Sequence, residues 1–226
     1  MTTKQYHHGD LKASLIEAAN LILSRDGADS LSLRAIAAEV GVSHMAPYSH
    51  FKNKQQLIES IVESGFLKMA ETMVQDSQGM DTDNPNDAPE LLLTYGASYL
   101  AFATANPQLY RLMLGQVDTS GRKAIAQQPV AKTEANNRPF QLLRHAFALQ
   151  SNDEQQIKAQ AIGAWAMVHG LAALITEQRI QVPAGLSLKQ FLAAASGIAF
   201  APASLSSSVS ASPSVSPSVS ANTTKG

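Results

Sequence analysis

Apolar positions along this chain recur at three- and four-residue spacing in segment after segment, the period of a helix buried on one face. Leu11, Leu15, Ala18, Ala19 and Ile22 form the first stripe, behind a cap at Asp10 and ended by Gly27. Leu33, Ile36, Ala37 and Val40 form a shorter one after Ser32, whose hydroxyl can accept from a free first-turn N–H. Gly41 then falls where a left-handed backbone is preferred, and Ser43 can cap another short helix, His44–Phe51. Two short helices joined around a glycine predict a helix-turn-helix over 32–51. Asn53, with Gln56 at the reciprocal capping position, opens a longer helix striped by Leu57, Ile58, Ile61, Val62, Phe66, Met69 and Met73.

Residues 77–89 are rich in Gly, Pro, Asp and Asn and read as a surface loop and boundary. Beyond it the spacing predicts a helix from Pro89 to Asn106, a short one over 108–114, and another over about 137–149. Residues 115–130, bracketed by Gly121 and Pro129, suggest no definite element. A capping box from Ser151 to Glu154 opens the next helix, which from Ala161 to Ile175 is apolar nearly all round. Such a helix needs cover on both sides, and a second copy of the chain can supply one of them. Ser187 and Gln190 cap a last helix striped by Leu188, Phe191, Leu192, Ala195, Ile198 and Ala199. The tail, 202–226, is almost entirely Ser, Ala, Pro and Val, too poor in buriable surface to fold.

The fold expected is therefore all-α. A three-helix N-terminal domain (8–68) carries the helix-turn-helix and joins a larger helical domain (85–200). Hydrophobic residues make up 45% and charged residues 15% of the 226, a balance that suits a packed protein rather than a disordered one. Cysteine is absent, so thiolate metal sites and disulfides are excluded and a cytoplasmic setting is expected. The polar start lacks a signal-peptide pattern, and the 161–175 run is shorter than the roughly 20 residues of a membrane span. His7-His8 has no third ligand at metal spacing and reads as a solvated arm. No metal or cofactor is expected.

Net charge is −1, which alone argues against nucleic acid. The distribution argues otherwise: residues 1–54 balance at +1 and hold four of the six histidines. A pull that modest calls for two copies on one DNA. In a helix-turn-helix, His44, Met45 and Ala46 would begin the element that enters the major groove, while Tyr48, Ser49, His50, Lys52 and Lys54 suit phosphate. A helical hairpin that packs on the core and touches nothing is the bland alternative.

Ser32-x-Arg34-x-Ile36-Ala37-x-x-x-Gly41-Val42-Ser43, followed by Tyr48-x-His50-Phe51-x-x-Lys54-x-x-Leu57, resembles the signature of TetR-type transcriptional regulators. Ala46-Pro47 departs from it, since a Leu commonly precedes the tyrosine. The resemblance implies a homodimer on a near-palindromic double-stranded operator, held by Ser32, Arg34, Ser43, His44, Met45, Ala46, Tyr48, His50, Lys52 and Lys54. Trp165, His169 and Gly170 are similar to the WHG class of TetR C-terminal domains, which mediates dimerisation and often encloses an effector. Tyr95, Tyr99, Phe102, Met113, Phe140, Trp165 and His169 should then converge around a small, largely hydrophobic ligand. Trp165 as a core anchor and His169 as a satisfied buried histidine is the simpler reading of that pair. No nucleophile motif, phosphate loop or paired catalytic carboxylates point to an enzyme. The expected function is a transcriptional repressor relieved by an effector. The alternative is an effector-independent, nucleoid-type DNA binder.

Overall fold

Side-chain caps written into the sequence set where the helices begin. Ser32 Oγ accepts from Ala35 N–H at 3.1 Å, and Asn53 Oδ1 from Gln56 N–H at 2.9 Å. Ser187 and Gln190 form a complete capping box. The computed structural model describes residues 11–115 and 134–197, and every regular element among them is helical. In chain order these are α1 (Leu11–Asp26), a 3₁₀ turn (Ala28–Ser30), α2 (Leu33–Val40), a second 3₁₀ turn (Ala46–Ser49) and α3 (Lys54–Asp76). The larger half holds α4 (Ala88–Ala105), α5 (Pro107–Met113), α6 (Glu134–Ala148), α7 (Glu154–Thr176) and α8 (Leu188–Ser196). The N-terminal arm, the Asp10 cap, residues 116–133, the Ile198 and Ala199 end of the last stripe and the 202–226 tail lie outside the described residues.

Three expectations change in detail. The second helix of the motif is a single 3₁₀ turn rather than a helix over 44–51. Pro47 has no N–H to offer the Ser43 carbonyl, which accepts from Ala46 N–H at 2.8 Å instead and tightens the turn. Gln56 Oε1 reaches back to Lys52 N–H at 2.7 Å, one residue beyond the cap it was expected to close on. Asp153, not Ser151, caps α7, its Oδ1 accepting from Gln155 and Gln156 N–H. Ser151 accepts from Asp153 N–H and donates to Gln156 Oε1.

One core runs through both halves. Leu15, Ile22, Ile36, Phe51, Leu57 and Ile61 pack behind the motif, and the same cluster continues through Met69 and Met73 of α3 to Tyr99 and Tyr110. At Gly65 α5 lies close on α3: a Cβ there would lie 2.7 Å from Met113 Sδ and 3.3 Å from Leu109 Cδ1, so the Met113 side chain would have to shift to admit one. At 23 residues α7 is, by length and composition alone, long and apolar enough to cross a membrane, which the shorter 161–175 run did not suggest. Its Ile157, Ala161, Ala164, Val168 and Ala172 are buried, and it packs on α4 and α6. Its opposite side, Ile162, Gly163, Ala166, Gly170 and Leu174, is exposed.

Candidate nucleic-acid interface and ligand cavity

The motif is held rigidly from behind and bare in front. Gly41, at φ +79°, ends α2 with its N–H on the Ala37 and Ala38 carbonyls; a side chain at that angle is strained. Pro47 and Phe51 are buried and anchor the 3₁₀ turn. Between and beside them Ser43, His44, Met45, Tyr48, His50 and Lys52 are exposed, with Arg34 exposed on α2. Ala46 and Lys54 are half-buried, Lys54 opening α3. Ser32 is half-buried and engaged as the α2 cap. The ten residues named for DNA thus come from α2, the turn, the 3₁₀ segment and the start of α3.

Behind this surface Arg25 of α1 pairs with Glu39 of α2 at 3.1 Å and with Asp26 at 2.9 Å. Hydrogen bonds to Asp26 and Glu39 push its pKa above the usual arginine value. The guanidinium therefore clamps α1 to α2 and is engaged within the fold.

In the larger half the aromatic residues divide into two groups. Tyr99 Oη lies 2.7 Å from His169 Nδ1 and donates to Tyr110 Oη at 3.1 Å, linking α4, α5 and α7. Trp165 stands edge-on to Tyr99 (centroids 5.3 Å apart) and to Phe140 (5.7 Å). Burial lowers the His169 pKa to about 4, so the imidazole is neutral at physiological pH. Burial raises the pKa of both tyrosines. His169 is thus half-buried, hydrogen-bonded and uncharged. Tyr110 is the partner that the sequence reading missed; it sits beside Leu109 in a short apolar helix, where spacing suggests only packing.

A cavity of about 840 Å³ opens beside this relay, walled by α4, α6, α7 and α8. Tyr95, Tyr99 and Trp165 line it, whereas Phe102, Met113, Phe140 and His169 are not among its lining residues. Phe102 and Met113 are buried in the shared core, Met113 against Gly65. Phe140 packs in a T-shaped contact with Trp165. The lining instead adds Leu92, Leu143 and Phe147, with Gln150, Gln156 and Gln160 near the α6–α7 turn. Exposed glutamines in and beside a helix read as solvated surface in one dimension, which is why they gave no signal. No cluster of three or more metal-ligating side chains occurs among the described residues.

Residues 15–61 match the family model described as bacterial regulatory proteins, tetR family, and residues 92–195 match the tetracyclin repressor-like C-terminal domain. The chain belongs to the TetR family. Its fold agrees: a protein of unknown function from Rhodococcus sp. RHA1 superposes with TM-score 0.67 at 28% identity, covering 87% of this chain and 96% of that one. A putative transcriptional regulator of the TetR family from Vibrio parahaemolyticus gives TM-score 0.58 at 17% identity, over 81% and 95% of the two chains. Among curated proteins, the nucleoid occlusion factor SlmA of Sodalis glossinidius is 30% identical over 119 residues, covering 51% of this chain and 56% of its own. SlmA of Vibrio vulnificus is 32% identical over 97 residues, 43% of this chain and 47% of its own. The chain spans about half the length of the curated relatives it matches. TetR-family members are DNA-binding transcriptional regulators, and both halves of the family's architecture are present here.

Proposed function

We propose that this TetR-family protein is a cytoplasmic, homodimeric transcriptional repressor that binds a near-palindromic operator and leaves it when a small, largely hydrophobic effector binds. Residues 8–68 would carry DNA recognition and 85–200 dimerisation and effector binding. The observation that carries the reading is the exposure of Met45 (61%) and Tyr48 (52%) on a turn anchored by buried Pro47 and Phe51. Large apolar side chains held out on a rigid turn, beside His44, His50 and Lys52, suit base edges and phosphates better than open water. The exposed apolar side of α7 supports the dimer, since a second copy would cover it. The cavity, of the size typical for small-molecule sites, supports the effector.

An effector weakens operator binding only by preferring a dimer whose recognition turns are misplaced for successive grooves, about 34–36 Å apart. Coupling of about 1–3 kcal/mol changes operator affinity roughly 5–150-fold. The lever is α3, which begins at Lys54 beside the DNA surface and packs at Gly65 on α5. Selection of bound sequences from a random duplex pool tests the reading. A recovered inverted repeat should bind on the order of 10³-fold or more above random DNA. Uniform affinity for all duplexes would instead support the nucleoid-type binder.

A further inference from the structure

Three tyrosines stand near the cavity, and their hydroxyls differ. The Tyr99 hydroxyl is engaged with both Tyr110 and His169, and the Tyr110 hydroxyl with Tyr99. Tyr95, on α4, is 2% exposed and lines the cavity, yet its hydroxyl has no hydrogen-bond partner among the described residues. That hydroxyl is not fully enclosed: it opens on the cavity, where water pairs it until a ligand group does. Much of the cavity lining is apolar, including Leu92, Leu143, Phe147, Trp165 and Val168.

Charge is missing from that wall: the described lining residues include no Asp, Glu, Lys, Arg or His. The acidic pair at the start of α7 is committed elsewhere. Asp153 caps two backbone N–H groups and Glu154 pairs with Arg144. An ionised ligand group would therefore lose its water without gaining a counter-charge. The other polar lining is neutral: the exposed Gln150, Gln156 and Gln160 with Ser151 at the α6–α7 end, and Ser196, whose hydroxyl donates to the Ala193 carbonyl.

We propose that the cavity takes an uncharged, mainly apolar molecule with one hydrogen-bonding group, and that Tyr95, rather than His169, orients it through its hydroxyl. This inference rests on the effector reading above. Trp165 is the one tryptophan in the sequence and lines the cavity, so its emission reports occupancy directly. The full chain at pH 7.5 is titrated with octanamide, octanoate and octylamine, the latter two being ionised there. Octanamide should give a saturable change, with the two ions at least about tenfold weaker. Tyr95→Phe, which removes a single oxygen, should melt as the parent does and bind octanamide about 3–10-fold more weakly. Equal affinity for octanoate or octylammonium overturns the uncharged class. Unchanged octanamide affinity in a normally melting Tyr95→Phe overturns the orienting role. Either failure leaves the effector reading standing, whereas no saturable change with any of the three probes removes that reading itself.

Discussion

Tyr48 in the 3₁₀ turn and Lys54 at the start of α3 offer a hydroxyl and an ammonium, groups that suit phosphate oxygens. Tyr48→Phe and Lys54→Ala should weaken binding about equally on selected and random duplexes, as fluorescence anisotropy would record. His44→Ala or Met45→Ala, at the exposed start of the turn, should lower affinity for the selected site and spare random DNA. The half-buried His169 makes a different expectation. Its folded pKa of about 4 lies below the ordinary 6.5, so between those values the unfolded chain takes up a proton that the native state refuses. That term of stability is complete above pH 6.5 and is lost as pH falls toward 4. His169→Gln should cost about 1 kcal/mol at pH 7.5 in urea unfolding. The gap to the parent should narrow as pH falls from 6.5 to 4; a constant gap would show the imidazole is not held neutral.

At the scale of elements, α3 joins the two halves of the molecule. Its first turn is fixed by Asn53 and by the Gln56 carboxamide on Lys52 N–H, which also sets where Lys52 and Lys54 stand. Asn53→Ala should cost about 1 kcal/mol of stability and weaken DNA binding beyond what the melting change explains. Both effects are measurable on one preparation. Cap residues, glycine turns and apolar stripes made most helix ends legible in the sequence, because each acts within four residues along the chain. The 3₁₀ turn at 46–49 was less legible. Pro47 was visible, but not that the Ser43 carbonyl would turn to Ala46 N–H, which depends on how buried Pro47 and Phe51 seat on the core.

For the whole molecule, the exposed side of α7 is where a second copy should sit. Ala166→Arg places a long cation in the middle of that apolar side. By sedimentation it should shift a parent dimer to monomer with the helical content unchanged, and operator affinity should fall with it. A variant that stays dimeric would put the interface elsewhere.

The sequence by itself determined the helical class, the order of the elements and the motif at 32–51, because these follow from local periodicity, capping and turn chemistry. It also marked Tyr95, Tyr99 and Trp165 as candidates for the cavity, since aromatic residues at helical spacing must face an interior. Which interior they face was decided only by the tertiary structure. Tyr110, on a different helix from either partner, closes the relay that occupies Tyr99 and His169. Met113 turns to Gly65 rather than to the cavity, because α5 lies directly on α3 there. Tyr95 alone of the three tyrosines keeps a hydroxyl with no partner among the described residues, a property of how α4, α6, α7 and α8 pack together rather than of any residue in sequence.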